Sequence, residues 1–387
     1  MNVDVLVVGG GIAGASIAWA LAADHTVGLL EREQTLGLHA TGRSAATFVE
    51  TLGGRQIRAL TIASRPFLEA PPDGFGPSPL TPMSLLYLAE PAQAATLEAL
   101  HDEVRQQVPD VQLLGPAETE RACHFLRPGV AAAGLLEPRA MEIDVAALHQ
   151  GFVRGLRALG GEILRGRSLA HAAYDGSAWV VTDASGEQHR TRLLVNAAGA
   201  WCDQVAEACG VEPIGIRPLR RTVFTLPGGS GVRDPAGQPM LVDAADRFYV
   251  KPETGQFLCS PVDETPMPPG DPRPEQLDIA QALDLIDEAT LLAPRHVTTS
   301  WAGLRSFAPD RLPVVGFAPD APDFLWFAGQ GGIGVQTSPA LARLGAAVAT
   351  GGSLPEDLAA AGLVAPDFAP ARFFREKVAD GANRPVR

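Results

Sequence analysis

Residues 4–32 read DVLVVGGGIAGASIAWALAADHTVGLLER, and this stretch decides the fold. The apolar run at 5–8 has the β-branched content of a buried parallel strand. It leads into a G-x-G-x-x-G motif at 9–14, and an alanine-rich helical stretch, 15–23, follows. A second apolar strand occupies residues 27–30. This order predicts a βαβ unit that binds a dinucleotide.

The glycines and the acid of this unit have separate physical roles. Gly9 permits the tight turn, Gly11 lets the backbone approach a pyrophosphate, and Gly14 allows the helix to pack close to the strand. The helix N-terminus offers unpaired N–H groups and a positive dipole end to phosphates. Glu31, at the tip of the second strand, can accept hydrogen bonds from a ribose. The segment therefore predicts an ADP-containing cofactor.

Composition limits the class of protein. A chain of 387 residues is long enough for two domains, and its 46% hydrophobic and 19% charged residues are those of a globular protein. A net charge of −13 argues against nucleic acid or an anionic membrane as a partner. The cysteines have neither metal-ligand nor disulfide-framework spacing, so we expect no metal site and a reducing, cytoplasmic location. They are Cys123, Cys202, Cys209 and Cys259.

An uncharged stretch at residues 5–23 has the length of a membrane span. However, the residues before it include Asp4 and no Lys or Arg, so the positive region of a signal peptide is missing. Three consecutive glycines would also break a spanning helix. We interpret the stretch as strand, turn and helix, and expect no transmembrane segment.

Further elements follow from apolar periodicity and turn residues. We predict helices at 56–70, 92–108, 144–159, 276–293 and 335–350, strands at 85–88 and 324–328, and turn-rich segments at 71–82 and 227–239. From residue 162 a period-two pattern predicts a β-meander that leads into an apolar strand at 193–195 and a short helix at 199–205.

Because α/β patterning returns in the middle and the last third, the cofactor domain is expected to be discontinuous. We assign 1–82, 145–212 and 308–375 to the cofactor domain, 83–144 and 213–307 to a substrate domain, and 376–387 to a C-terminal tail.

A second G-x-G-x-x-G occupies residues 329–334. It follows a predicted strand and opens a predicted helix, but no strand follows that helix, so no second βαβ unit is completed. We interpret it as a loop whose helix N-terminus faces another anionic group. The chain is therefore expected to hold one dinucleotide and to receive electrons from a small molecule.

Several stretches together resemble one family. They are VVGGGIAGAS and LLERE near the start, HATGRSAA at 39–46, ALHQGFVRGLRA at 147–158, LVNAAGAWCD at 194–203, PMLV and FYVKP within 239–252, WAGLRSF at 301–307 and GQGGIGVQTS at 329–338. The sequence resembles the flavin-dependent amino-acid oxidoreductases of the D-amino-acid oxidase (DAO) superfamily, and most closely its bacterial D-arginine dehydrogenases. The resemblance implies an α/β fold, with a Rossmann-type FAD-binding domain of the glutathione-reductase/DAO type and an inserted α+β substrate domain.

The resemblance implies FAD as the cofactor. Its ADP half would lie against the first glycine motif, and the flavin's pyrimidine edge against the second. The cofactor-binding residues implied are Gly9, Gly11, Ile12, Ala13, Gly14, Glu31, Arg32, Thr41, Arg43, Ser44, Ala45, Ala198, Gly199, Trp201, Gly303, Arg305, Gly331, Gly332, Gly334, Gln336 and Thr337. For Arg43 the alternative to a role in binding the cofactor is a surface ion pair.

The resemblance also implies that Arg221, Tyr249 and Arg305 bind the substrate carboxylate as the catalytic set. Guanidinium suits this role because it forms a permanently charged, bidentate fork with carboxylate. For Arg221 a structural role is the alternative, since Arg220 is adjacent and a strand directs neighbouring side chains to opposite faces.

Three positions depart from the D-arginine dehydrogenase pattern. Thr47 stands for a histidine, Leu52 for a tyrosine, and Leu85 aligns with the glutamate that would hold a basic side chain. Without that acid, a neutral or hydrophobic substrate fits better. The remaining predicted pocket residues are Tyr87, Met240, Val242 and Gly332, with core packing as the alternative for the first three.

We therefore expect an FAD-dependent amino-acid dehydrogenase or oxidase. A hydride would pass from the substrate Cα to flavin N5, and the imino acid would hydrolyse to the 2-oxo acid and ammonia; oxygen or a quinone would accept the electrons. A secondary-amine enzyme of the sarcosine or proline type is the runner-up. A flavin-binding accessory or sensor subunit is the non-enzyme alternative. A hydroxy-acid oxidase is disfavoured because Thr47 replaces the histidine.

Overall fold

The computed structural model describes residues 1–228 and 237–374. Its strands are β1 (Asn2–Val8), β2 (Val27–Glu31), β3 (Thr47–Phe48), β4 (Leu80–Pro82), β5 (Leu85–Ala89), β6 (Gln112–Leu114), β7 (Ala133–Glu137), β8 (Met141–Ile143), β9 (Glu162–Arg165), β10 (Leu169–Tyr174), β11 (Trp179–Asp183), β12 (Gln188–Asn196), β13 (Arg217–Pro227), β14 (Met240–Asp243), β15 (Tyr249–Glu253), β16 (Gln256–Ser260), β17 (Thr265–Pro266), β18 (Thr299–Phe307), β19 (Val314–Ala318), β20 (Ala321–Ala328) and β21 (Gln330–Gly331). Its α-helices are α1 (Ile12–Leu21), α2 (Arg55–Glu69), α3 (Ala94–Val104), α4 (Pro116–Ala122), α5 (Val145–Ala158), α6 (Cys202–Ala208), α7 (Gln276–Ala289), α8 (Gly334–Thr350) and α9 (Glu356–Ala360). Most of the turn-rich segment 227–239 and the predicted tail 376–387 lie outside the described residues.

The first sheet is parallel at its centre, in the order β9–β2–β1–β12–β20. Strand β19 pairs antiparallel with β20, and β10 and β11 form a meander with β12. Along β1 the side chains alternate between faces, so Val5 and Val7 pack towards α1 and α8, whereas Leu6 and Val8 pack towards the meander and α6. Both faces of β1 are buried, as its continuous apolar run predicts.

The turn between β1 and α1 has room only for glycine. Gly9 has φ +109°, and a Cβ there would stand 2.4 Å from the carbonyl oxygen of Ala197. A Cβ on Gly14 would stand 1.8 Å from the carbonyl oxygen of Gly9. The first turn of α1 therefore packs directly on the glycine turn, which is the geometry that the glycine spacing predicts.

The second sheet is mixed, in the order β21–β18–β13–β16–β15–β14–β5–β7–β6, with β17 beside β13. Its pairs are antiparallel apart from β5 and β14. Helix α7 covers one face, where Ile279 and Ile286 pack with Phe224 and Phe257. The opposite face carries Tyr249 and is turned towards the first sheet. A small third sheet joins β3, β8 and β4.

The predicted Rossmann-type α/β fold is confirmed. The strands of the first sheet all come from 1–82, 145–212 and 308–375, and those of the second come from the remaining segments apart from β21. The division into domains stays a prediction.

Some predicted elements differ from the structure. The pattern at 162–165 predicts part of the meander, but β9 pairs in parallel with β2. Helix α3 ends at Val104, because Val108 precedes a proline and the chain turns before it. Helix α7 ends at Ala289, since Thr290 leaves the helix to form a β-bridge with Leu126.

Residues 5–23 form strand, turn and helix, as predicted. Within 1–228 and 237–374, no helix is long and apolar enough to cross a membrane. The four cysteines are buried as free thiols.

Candidate functional site

A cavity of about 420 Å³ lies between the two large sheets. One end is formed by the glycine turn after β1 and by the tip of β2, and the other by β13, β15 and β18 of the second sheet. The N-termini of α1 and α8 both open onto it, through Gly11 and Gly334. Two helix dipoles therefore present their positive ends to the same cavity.

At the first end, Glu31 orders the glycine turn as well as facing the cavity. Its Oε2 accepts a hydrogen bond from Gly10 N at 2.6 Å, and its Oε1 accepts one from Glu33 N at 2.8 Å. A carboxylate has about four acceptor positions, so capacity remains for a ribose hydroxyl. The Glu31 carboxylate can therefore order the glycine turn and still bind a ligand in the cavity.

His149 on α5 holds the next peptide group of the glycine turn. Its Nε2 donates to the carbonyl oxygen of Gly10 at 2.9 Å, and burial lowers the pKa of the imidazole. Both backbone polar groups of Gly10 are thus held, its N–H by Glu31 and its C=O by His149. His149 lies within the family stretch 147–158, but no motif or spacing in the sequence indicates this contact.

Thr41 braces the start of α1, because its Oγ1 accepts a hydrogen bond from Ile12 N at 3.0 Å. Beyond it, the guanidinium of Arg32 lies 4.8 Å from the centroid of the Trp201 ring, and the His39 ring lies 4.7 Å from it. Residues after β9, namely Arg167, Ser168 and Leu169, complete this end. The signal that could have identified them is the position of β9 as the parallel neighbour of β2.

Arg43 combines the two roles considered for it. Its side chain lines the cavity, donates from Nη1 to the carbonyl oxygen of Ala302 at 3.0 Å, and pairs through Nη2 with Asp271 at 2.5 Å. The neighbouring guanidinium lowers the pKa of the exposed Asp271 carboxyl. Gly270 and Pro272, on either side of Asp271, also line the cavity.

The second end brings together Arg221, Tyr249 and Arg305. On the antiparallel pair β13–β18, Arg221 stands opposite Gly303, so Arg305 lies two residues further along on the same face. Tyr249 begins β15 on the same side of the sheet, and all three residues line the cavity. We call these three residues the clamp.

Arg220 and Arg221 have different surroundings. Arg220 donates to Asp263 at 2.9 Å and to Asp278 at 2.5 Å, whereas Arg221 lines the cavity. Strand alternation directs the two side chains to opposite faces of β13.

The clamp holds two buried positive charges close together. Burial, together with the neighbouring Arg305, lowers the pKa of Arg221 to about 10, and burial lowers the pKa of Arg305. The Arg305 side chain forms no ion pair or hydrogen bond within 1–228 and 237–374, and the buried Tyr249 hydroxyl has no hydrogen-bond partner there. Ser260 lies near that hydroxyl, but its own hydroxyl donates to Thr222 O at 2.6 Å. Unpaired donors of this kind suit an anionic ligand.

The loop before α8 closes the cavity beside the clamp. A Cβ on Gly332 would stand 2.9 Å from Arg305 Nη1, so the absence of a side chain makes room for the guanidinium. Gln336 and Thr337, further along α8, do not line the cavity. Gln336 bonds to the backbone of Val49, and Thr337 donates to its own helix.

The structure does not bring most of the predicted pocket residues to the cavity. Thr47 is paired into the third sheet, and Leu52 is 40% exposed on a neighbouring loop. Strands β5 and β14 pair so that Met240 is opposite Leu85 and Val242 is opposite Tyr87. These side chains pack in one hydrophobic cluster with Tyr249 and form a layer behind it. That layer contains Leu85, Tyr87, Met240 and Val242.

Of the predicted site residues, those that line the cavity are Gly9, Gly11, Ile12, Ala13, Glu31, Arg32, Thr41, Arg43, Ser44, Ala45, Ala198, Gly199, Trp201, Arg221, Tyr249, Gly303, Arg305, Gly331, Gly332 and Gly334. Gly14 supports the glycine turn from within α1. These residues fit FAD, since a glycine cradle and a helix N-terminus suit its pyrophosphate and the cavity continues to a second helix N-terminus.

The model of the FAD dependent oxidoreductase family, DAO, matches residues 4–348. The bovine (Bos taurus) "FAD-dependent oxidoreductase domain-containing protein 1" is 25% identical over 401 residues, covering 88% of this chain and 79% of that protein. Glycine oxidase from Geobacillus kaustophilus has a TM-score of 0.80 at 22% identity, covering 94% of this chain and 98% of its own. L-α-glycerophosphate oxidase from Mycoplasma pneumoniae, solved with FAD bound, has a TM-score of 0.81 at 17% identity, covering 90% of this chain and 95% of its own.

Proposed function

The chain belongs to the DAO family of FAD-dependent oxidoreductases, and from this premise we propose that it oxidises a neutral or hydrophobic α-amino acid, in its D form, to the imino acid. The observation that carries the proposal is the clamp. Arg305 and the Tyr249 hydroxyl, unpaired among the described residues, lie with Arg221 in one cavity with the glycine cradle for FAD. A carboxylate supplies the acceptors that these donors lack.

A neutral side chain on the substrate is supported by the cavity lining. Among the described lining residues the only carboxylate is Glu31, at the end distant from the clamp. Near the clamp, the lining includes the apolar Val223 and Leu304. A basic substrate side chain would find no acid there to pair with.

The clamp residues would bind and orient the substrate. Arg305 and Arg221 would hold its carboxylate, which fixes the direction of the Cα–H bond. Burial raises the pKa of Tyr249, so its hydroxyl stays protonated and donates a hydrogen bond at neutral pH. Positive charge beside the substrate also lowers the pKa of its ammonium group and favours the neutral amine that reacts.

Bound FAD supplies the acceptor for the hydride that leaves Cα. The substrate nitrogen loses a proton in the same oxidation, which gives the imino acid. Water then hydrolyses the imino acid to the 2-oxo acid and ammonia.

The proposal is tested by anaerobic bleaching of the FAD-loaded protein with a panel of amino acids. The panel contains D- and L-alanine, leucine, phenylalanine and arginine, with N-methylglycine and proline. We expect a neutral D-amino acid to bleach the flavin fastest. Faster bleaching by N-methylglycine or proline would replace the proposal with a secondary-amine substrate. If no member bleached the flavin, the proposal would fail. Oxygen uptake measured beside dye reduction then identifies the electron acceptor.

A further inference from the structure

Glu264 lies behind the clamp and joins two arginines. Its Oε1 accepts hydrogen bonds from Arg221 Nη2 at 3.2 Å and from Arg311 Nη2 at 2.8 Å. Its Oε2 accepts one from Arg311 Nη1 at 3.0 Å. We propose that Glu264, held by Arg311, is a positioning residue that sets the Arg221 guanidinium on the substrate carboxylate. This inference rests on the proposed function, because it requires that the clamp bind a carboxylate.

Arg311 is 54% exposed, but it is oriented towards Glu264 by two contacts. The Arg311 guanidinium donates to both carboxylate oxygens of Glu264, and this bidentate geometry fixes the orientation of the carboxylate. The guanidinium lies 3.9 Å from the centroid of the Phe307 ring. Phe307 ends β18, the strand that carries Arg305, and pairs there with Gln330 of β21. The support of Arg221 is thus built on the same strand as the other clamp arginine.

Arg221 is held on one side only. Its Nε donates to the carbonyl oxygen of Asp263 at 3.0 Å, and its Nη2 donates to Glu264. Its Nη1 has no hydrogen-bond partner within the described residues. The adjacent pair Asp263 and Glu264 therefore fixes the plane of the guanidinium and leaves donors for a ligand.

Two effects of Glu264 on carboxylate binding have opposite signs. Its negative charge repels a ligand carboxylate, so removing the charge alone would tighten binding. Its hydrogen bonds orient Arg221, so removing them would weaken binding. Because the Glu264 side chain is 34% exposed, water screens the repulsion, and we expect the loss of orientation to dominate.

The test uses the FAD-loaded protein and measures the change in flavin absorption on titration with hexanoate, with hexanamide as the uncharged control ligand. The variants are Glu264→Ala, which removes both acceptors, and Glu264→Gln, which keeps the shape and one acceptor oxygen. Asp357→Asn is the matched control, because Asp357 also receives a bidentate fork, from Arg343, on α8 and α9 away from the clamp. Thermal unfolding and flavin content confirm that each variant is folded and loaded.

We expect hexanoate to bind about 10-fold more weakly to Glu264→Ala than to the wild type, with Glu264→Gln between them and Asp357→Asn unchanged. Equal or tighter binding by both Glu264 variants would overturn the positioning role and leave the clamp intact. If hexanoate bound the wild type no better than hexanamide, the clamp itself would be wrong, and the proposed function would fail with it.

Discussion

Gly332 makes room for Arg305: a Cβ at Gly332 would stand 2.9 Å from Nη1 and 3.0 Å from Cζ of that guanidinium. The contact is with the end of a flexible side chain and not with backbone. An added methyl group therefore displaces the guanidinium without breaking the fold.

For Gly332→Ala we predict a free energy of unfolding within about 1 kcal/mol of the wild type, with carboxylate binding weakened about 10-fold or more. Chemical denaturation and hexanoate titration measure the two quantities. Gly54→Ala is the control, because a Cβ there has nothing within 4 Å. Unchanged hexanoate binding in Gly332→Ala would contradict the account of this contact.

Carboxylate binding should depend on pH through Arg221. Burial and Arg305 lower the pKa of Arg221 to about 10, and Tyr249, Glu264 and Asp263 oppose that shift. Binding requires the charged guanidinium, so hexanoate affinity should be constant from about pH 7 to 9 and fall above about pH 10. A titration at several pH values, with folding followed by circular dichroism, measures this. Affinity unchanged at pH 11 would show that Arg221 does not contribute its charge.

His149 should determine how tightly FAD binds. For His149→Ala the carbonyl oxygen of Gly10 loses its partner, which costs about 1–3 kcal/mol and weakens FAD binding roughly 5- to 150-fold. Fluorescence titration of the apoprotein with FAD measures the affinity. His171→Ala, at an exposed position of β10, is the control. Equal FAD affinity in both variants would exclude this role for His149.

The cofactor end could be predicted from the sequence because its determinants are local. Residues 5–31 contain the strand, turn, helix and acid in one continuous segment. Gly9 and Gly14 are required by close backbone contacts, with Ala197 and with Gly9 itself. His149 could not be predicted in this way. It reaches Gly10 from a helix more than a hundred residues later, and no spacing encodes that contact.

The substrate end could be predicted only in part. Arg221, Tyr249 and Arg305 converge because β13, β15 and β18 belong to one sheet. The resemblance implied that these residues bind one carboxylate, but local patterning could not predict the strand order that brings them together. The one-dimensional alignment placed Leu85 at the pocket wall, but its strand register puts it in the layer behind Tyr249. Glu264 could not be predicted because its role depends on Arg311. Glu264 lies between β16 and β17, whereas Arg311 lies between β18 and β19, and no sequence spacing encodes their contact.

We propose that the clamp fixes the carboxylate of an α-amino acid for oxidation by FAD. The most direct test compares the anaerobic bleaching rate of wild type and Arg305→Ala with the best substrate of the panel, at equal flavin content. Loss of a buried, bidentate charge partner should cost about 3–5 kcal/mol, so we predict a rate at least 100-fold lower in Arg305→Ala. An Arg305→Ala variant that is bleached as fast as the wild type would contradict the account.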